Sequence, residues 1–286
     1  MNEVTKVQNI KKFMAQHGFN IKKKFGQNFL IDDNILDKIV KNTTPDKSTT
    51  VLEIGPGLGA LTHKLAENEA KVIAVEIDTS LKKHLMELEE NYPNINLIFA
   101  DALKLDLEEL LQADITQGNT LKVTANLPYY ITTPLLFKIL ESKVRFHSLT
   151  LMMQLEVAQR ILAKPGGKEY GNLTVAVQYY GDASLVTKVP PSCFYPQPKV
   201  ESAVINITTN SKKPKLQDES FFFSLTKQAF SKRRKMLVNN LESIVPLSKS
   251  QLNEVLEEIG IDGKRRAETL NIEEFTRISN KLIKYR

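Results

Sequence analysis

The sequence predicts an α/β protein: a seven-stranded, mostly parallel sheet with helices on both faces, followed by a small all-α C-terminal domain. Three observations point there. Between residues 51 and 208 apolar β-runs alternate with segments of helical spacing, the pattern of parallel strands joined by crossover helices. The first β-run ends in a glycine-rich turn, Gly55-Pro56-Gly57-Leu58-Gly59, that leads directly into a helix. Beyond Ser211-Lys212-Lys213-Pro214-Lys215, which reads as a linker, only helical periodicity remains.

A chain of 286 residues can bury a full α/β core and still supply a second domain. Its single cysteine precludes an internal disulfide framework and fits a reducing compartment. The start, MNEVTKVQNIKKF, lacks a signal-peptide core, and no later run is long enough to span a bilayer, so the expectation is a cytoplasmic protein without a membrane partner. The net charge of +6 is unevenly spread. Residues 1–24 carry six lysines against one glutamate, and residues 211–286 carry sixteen basic against ten acidic side chains. The stretch between them is acidic, with seventeen basic against twenty-two acidic. Basic ends around an acidic middle suit an enzyme that binds a polyanion and uses a neutral or cationic small ligand.

The elements follow in order. Lys22-Lys23-Lys24 closes a basic N-terminal arm and leads into Phe25-Gly26-Gln27-Asn28-Phe29-Leu30, which could set lysines beside phosphates. Ile31 to Val40 has helical spacing, with Ile31, Ile35, Leu36, Ile39 and Val40 on one face. Val51-Leu52-Glu53-Ile54 is a strand, the glycine turn follows, and Ala60 to Glu67 is a helix. Further strands are expected at Lys71–Asp78, Ile95–Ala100, Leu121–Ala125, Leu149–Leu155, Leu173–Tyr180 and Ser202–Thr208. A helix opens at Thr132-Thr133-Pro134, and Ala163 to Gly171 is a mobile loop by composition. Four prolines stiffen Val189–Lys199 around Phe194 and Tyr195. In the C-terminal part Phe222 to Leu241 reads as one long amphipathic helix carrying Lys232-Arg233-Arg234-Lys235. Ser248 with Gln251, and Asn271 with Glu274, have the spacing of capped helix starts.

Strand ends carry the chemistry of an open parallel sheet. The turn is Gly-x-Gly-x-Gly with Glu53 just before it, a poor place for a pyrophosphate and a good one for a cation; no Gly-x-x-x-x-Gly-Lys-Ser/Thr phosphate loop occurs. Glu76 lies 21 residues after Gly55, where a carboxylate accepts ribose hydroxyls, and Asp101-Ala102 ends the third β-run, where a side chain can meet an adenine edge. The fourth β-run ends in Asn126-Leu127-Pro128-Tyr129: an amide, an apolar spacer, a proline and an aromatic, fit to grip a flat ring bearing an amine. Read alone, that stretch is equally a strand-end turn. Cys193 has no histidine near it in sequence, and His17, His63, His84 and His147 share no metal-ligand spacing, so no metal is expected.

This constellation resembles class I S-adenosylmethionine-dependent methyltransferases acting on exocyclic amines, whose sheet is Rossmann-like. The likeness narrows further. Phe25–Leu30, Glu53–Gly59, Asn126–Tyr129, Phe194–Ser202 and Ala229–Lys235 stand in the order found in ribosomal RNA adenine dimethyltransferases of the KsgA (RsmA) type, across essentially the whole chain. The resemblance implies S-adenosyl-L-methionine as cofactor, with Gln27, Asn28, Leu30, Glu53, Gly55, Gly57, Glu76, Asp101, Ala102 and Asn126 around it. It implies a target base between Tyr129 and Phe194, with Asn126, Leu127 and Pro128 at the reacting amine. The implied substrate is a pair of adjacent adenosines near the 3′ end of small-subunit rRNA, met by Lys22, Lys23, Lys24, Lys232, Arg233, Arg234 and Lys235. The expected domains are a basic arm at 1–24, a catalytic domain at 25–208 and a helical RNA-binding domain at 209–286, in a monomer that does not act on DNA. Alternatives are the related large-subunit enzymes of the macrolide-resistance type, and an assembly factor that is largely non-catalytic.

Overall fold

The computed structural model describes residues 7–17, 21–22, 26–129, 131–209 and 213–286. Contacts divide the chain into two units, one of Met1–Ala158 with Ser184–Thr209, the other of Gln159–Ala183 with Asn210–Arg286.

The first unit is built on a sheet of seven strands: β2 (Thr49–Ile54), β3 (Lys71–Glu76), β4 (Ile95–Phe99), β5 (Thr120–Asn126), β6 (Ser148–Gln154), β7 (Gly181–Val189) and β9 (Ser202–Thr209). Their order is β4-β3-β2-β5-β6-β9-β7, with β2 parallel to β3 and β5, β3 to β4, β5 to β6, and β9 antiparallel to β6. The expected fold class is therefore the one observed. The central strands are buried on both faces, which is why they read as unbroken apolar runs rather than alternating ones. From β2 the chain winds outward through β3 and β4, then returns to β5 on the other side. The carboxyl ends of β2 and β5 thus diverge into a crevice, the switch point where such sheets bind ligands.

Helix α1 (Val7–His17) precedes the sheet, and α7 (Leu155–Ile161) follows β6 directly. Helices α2 (Asp33–Thr43), α3 (Ala60–Glu67), α4 (Lys82–Asn91), α5 (Leu107–Gln117) and α6 (Thr132–Glu141) follow the sequence expectations where these were made. Asp32 caps α2 by accepting the Ile35 N–H, and Asp106 caps α5 through the Glu108 and Glu109 N–H groups. A separate two-residue ladder pairs β1 (Phe29–Leu30) with β8 (Phe194–Tyr195), Leu30 facing Phe194. Two motifs 164 residues apart in sequence meet there.

Two expectations fail. Leu173–Tyr180 is not a strand but helix α8 (Asn172–Tyr180), and the remaining sheet position is taken by β7. The run is buried nearly throughout, so it carries no periodicity to separate helix from strand. Tertiary packing decides. Tyr180 stacks on Phe223 at 5.7 Å between ring centroids, and the hydroxyls of Tyr179 and Tyr180 each donate to a carboxylate oxygen of Glu219. Residues 159–183 group with the helical residues 210–286.

Nor is Phe222–Leu241 one helix. It breaks into α9 (Glu219–Ala229) and α10 (Leu237–Leu241), and Lys232–Lys235 occupies the turn between them. Asn240, 2% exposed, holds that turn by donating from Nδ2 to the Ala229 carbonyl at 2.6 Å and the Lys232 carbonyl at 3.1 Å. The helices α11 (Lys249–Glu257) and α12 (Ile272–Leu282) begin with the expected reciprocal caps, Ser248 with Gln251 and Asn271 with Glu274. The loop at 163–171, read as mobile from its glycines, is tied within this unit by the Gly166 N–H to the Glu268 carbonyl, and Tyr170 inside it is 1% exposed.

Candidate active site

A cavity of about 280 Å³ opens at the switch point, walled by the ends of β2, β3, β4 and β5 and by residues 26–30. The glycine turn forms its floor. Gly57 has φ of +58°, and a Cβ there would lie 3.2 Å from the Phe29 ring, so only glycine keeps this backbone open. Glu76, at the end of β3, is 5% exposed; its Oε2 accepts the Gly57 N–H at 3.1 Å and its Oε1 the Asp78 N–H at 2.8 Å. The Glu76 carbonyl accepts the Ala100 N–H, which joins the next strand end to the same rim, and Asp101 follows, its Oδ1 bonded to the Leu103 N–H.

The opposite wall is the Asn126–Tyr129 stretch. The Leu127 N–H donates to the Met152 carbonyl, and the Pro128 carbonyl accepts both the Ile131 N–H and the Thr132 hydroxyl, so the turn is fixed on each side of the proline. Asn126 Nδ2 donates to the Asn28 carbonyl at 3.1 Å, which fixes the donor end of the amide on that side and leaves Oδ1 as its acceptor end. The Tyr129 hydroxyl is 2.7 Å from Ser202 Oγ, which pins the ring. Its partial burial raises the phenol pKa, an effect the Ser202 contact opposes.

Electrostatically the cavity is one-sided. Glu53, Glu76 and Asp101 line it, and no lysine or arginine does so among the described residues. Glu53 is 1% exposed, and its Oε2 finds no hydrogen-bond partner among them. Burial pushes the Glu53 carboxyl up to about 8; the nearby Thr62 hydroxyl opposes the rise and the charge of Glu76 adds to it. Burial likewise raises Glu76, against the backbone N–H groups that stabilise its charge. An orphaned buried carboxylate oxygen in a cavity of this composition fits a ligand that is cationic at one end and carries ribose hydroxyls at the other, the chemistry of S-adenosylmethionine.

The structure brings together Gln27, Asn28, Leu30, Glu53, Gly55, Gly57, Glu76, Asp101, Ala102, Asn126, Leu127, Pro128 and Tyr129 around one cavity. Phe194 is not among its lining; it is 1% exposed and packed in the core with Leu30, Leu36 and Met152. The Gln27 side chain touches the cavity but is already bonded, to Asp78 Oδ2 and the Lys22 N–H. Lys22, expected at the RNA, has its ammonium 2.6 Å from Asp78. Lys23, Lys24 and Phe25 lie outside the described residues. Lys232, Arg233, Arg234 and Lys235 are all exposed; Arg233 also donates to the Lys168 carbonyl and lies 3.6 Å from Glu268. Sequence reasoning missed Asp78, although an aspartate two residues past the strand-end carboxylate, with a serine two further on, is a turn-capping signal.

Comparisons with known proteins accord with this geometry. The family model described as ribosomal RNA adenine dimethylase matches residues 18–284. The ribosomal RNA small subunit methyltransferase A of Bacillus mycoides (strain KBAB4) is 45% identical over 290 aligned positions, covering 99% of this chain and 98% of the relative. Among solved structures, a dimethyladenosine transferase from Plasmodium falciparum superposes with a TM-score of 0.77 at 28% identity, covering 90% of this chain and 98% of that one. The 23S rRNA methyltransferase ErmE gives a TM-score of 0.69 at 26% identity, covering 89% and 99%.

Proposed function

The chain belongs to the ribosomal RNA adenine dimethylase family, and from that premise we propose that it dimethylates two adjacent adenosines near the 3′ end of small-subunit rRNA at their exocyclic amines. It is an S-adenosylmethionine-dependent enzyme, and the product is N6,N6-dimethyladenosine. The observation that carries the reading is the orientation of Asn126: with its Nδ2 on the Asn28 carbonyl, its Oδ1 is an acceptor at the rim of a cavity built for a cationic adenosine derivative. The 45% relative named for the small subunit supports that substrate over the large one, for which ErmE stands at 26%.

The residues divide the work. Glu76 holds the ribose hydroxyls, Asp101 and Ala102 meet the adenine edge, and Gly55 and Gly57 let the backbone approach. Asn28 and Leu30 close the near side, while Glu53 faces the cationic end. When bound, the cofactor supplies a methyl group already activated by its sulfonium. An adenine amine is a poor nucleophile because its lone pair is delocalised into the ring. In the first transfer Asn126 Oδ1 and the Leu127 carbonyl accept its two hydrogens as it becomes tetrahedral, and in the second one of them accepts the hydrogen that remains, so the lone pair turns toward the methyl each time. Pro128 aims the Leu127 carbonyl. Tyr129, pinned by Ser202, stacks on the base taken out of its helix, while Phe194, buried in the core behind Leu30, does not reach the base as the resemblance implied. The proton leaves to solvent after transfer. Lys232, Arg234 and Lys235 meet RNA phosphates from the helical unit, and Lys23 and Lys24 do so from the N-terminal arm. The protein acts as a monomer on immature small subunits in the cytoplasm.

Incubation with labelled S-adenosylmethionine and unmethylated small subunits, large subunits or DNA tests the reading. Label should appear on two neighbouring adenosines of the small-subunit rRNA. Label confined to large-subunit RNA or DNA would refute it.

A further inference from the structure

Asp78 has no part in the roles above and does not line the cavity, yet it is bonded to two residues that do. It is 1% exposed. Oδ1 lies 2.6 Å from the Lys22 ammonium and 2.6 Å from the Ser80 hydroxyl, and it also accepts the Ser80 N–H at 3.1 Å. Oδ2 accepts from Gln27 Nε2 at 2.8 Å. Gln27 is held at both ends, because its Oε1 accepts the Lys22 backbone N–H at 2.8 Å. On the other side the Asp78 N–H donates to Glu76 Oε1, and Glu76 Oε2 takes the Gly57 N–H. A continuous chain of bonds therefore runs from residues 22 and 27 through Asp78 to Glu76 and the glycine turn. Burial alone would raise the Asp78 pKa, but donors from Lys22, Ser80 and Gln27 hold it below the ordinary carboxylate value. The hub is charged at neutral pH.

We infer that Asp78 is a positioning residue that ties the cavity wall at Gly26–Leu30 to Glu76 and thereby sets how long S-adenosylmethionine and S-adenosylhomocysteine are retained. The inference rests on the reading of this cavity as the cofactor site. Gln27, Asn28 and Leu30 form one wall of the cavity and Glu76 another, so a ligand lying between them is held as firmly as the two walls are joined. The β1–β8 ladder fixes Phe29 and Leu30, and Asp78 adds a second tie to the same wall through Gln27. Two methyls on each of two adenosines consume four cofactors, so product must leave and fresh cofactor enter between transfers. A tie at this point governs that exchange without touching the reacting atoms.

A double-mutant cycle on the full chain tests it: wild type, Asp78→Asn, Lys22→Met and the double variant. Release is followed by chasing radiolabelled S-adenosylhomocysteine with excess unlabelled compound. Losing a hydrogen bond to a charged group should speed release about tenfold in either single variant. In Asp78→Asn the KM for S-adenosylmethionine should rise by a similar factor, while single-turnover transfer from pre-bound cofactor changes far less. Because both substitutions break the same tie, the double variant should release no faster than Asp78→Asn alone. Release at the wild-type rate in both single variants, or effects that multiply in the double, would overturn the inference. Should Asp78→Asn not fold, Gln27→Met takes its place in the cycle. Failure of the wild-type protein itself to retain the labelled compound would count against the cofactor-site reading instead.

Discussion

Replacing Glu53 by glutamine should change how stability depends on pH, and by an amount that the structure sets. In the unfolded chain this carboxyl titrates near 4.5; in the folded protein burial and the neighbouring Glu76 raise it to about 8. Between those values the folded state keeps a proton that the unfolded state has released. Stability from this site is therefore fully present below about pH 4.5, falls as pH rises through the window, and is level again above about pH 8. Each pH unit inside the window costs about 1.4 kcal/mol, so the loss is roughly 3 kcal/mol at neutrality and roughly 5 kcal/mol by the upper end. These are upper figures, since water entering the cavity to reach Oε2 would reduce them. Glutamine keeps the shape and removes the titration. Urea unfolding of both proteins between about pH 5 and about pH 8 gives a difference curve in which every other group cancels to first order. The variant should gain relative to wild type by several kcal/mol across that span. Added S-adenosylmethionine, bringing a cation beside Glu53, should flatten the wild-type slope. A difference curve that stays flat within about 0.5 kcal/mol would refute the claim that burial leaves Glu53 Oε2 without a partner.

Other perturbations follow from single contacts. Asn126→Ala should lower turnover on unmethylated small subunits by about 10²–10³ while changing S-adenosylmethionine affinity by calorimetry only a few fold, since it removes an acceptor needed at the amine. Gly59→Ala places a Cβ 2.8 Å from Leu88 Cδ2 at a φ of +77°, and chemical denaturation should register a loss of about 1–3 kcal/mol. Replacing Lys232, Arg234 and Lys235 together by glutamine should reduce the slope of log affinity for rRNA against log salt by about 0.7 to 0.9 for each phosphate that is no longer neutralised, with little change in melting temperature. Arg233→Gln should differ from these, because its guanidinium also holds the Lys168 carbonyl and lies beside Glu268; thermal unfolding should show the cost.

The site was legible in the sequence to the extent that a parallel sheet makes it so. In such a sheet the residue that ends each β-run reaches the same edge as its neighbours', so Glu53, Glu76, Asp101 and Asn126 could be gathered from four separate stretches without coordinates. The helical unit was less legible because its decisive contacts are non-local. Leu173–Tyr180 is rich in β-branched and aromatic residues and becomes a helix because Glu219, Phe222 and Phe223 receive Tyr179 and Tyr180. The break after Ala229 depends on Asn240, eleven residues on, bonding back into the turn; no propensity at Lys232–Lys235 announces it. Asp78 escaped notice for the same reason, since its meaning lies in donors from residues 22 and 27, more than fifty positions away.

An amide at position 126 is explained by its surroundings better than by the strand that carries it. Asn28 offers a carbonyl to this side chain, and only a donor can use it. A carboxylate there would face that carbonyl and join Glu53, Glu76 and Asp101 in a cavity that has no lysine or arginine among its described lining residues. Burial raises carboxyls in this cavity, as it does Glu53 and Glu76, and a carboxyl that keeps its proton presents a donor to the incoming amine. The amide avoids this. One Nδ2 hydrogen goes to the Asn28 carbonyl, which orients the amide, and its Oδ1 stays an acceptor at every pH. The same burial and crowding of acidic groups that raise Glu53 would thus disable an aspartate at position 126, and a cation bound beside Glu53 opposes that rise, which joins the choice of cofactor to the choice of residue that receives the adenine amine.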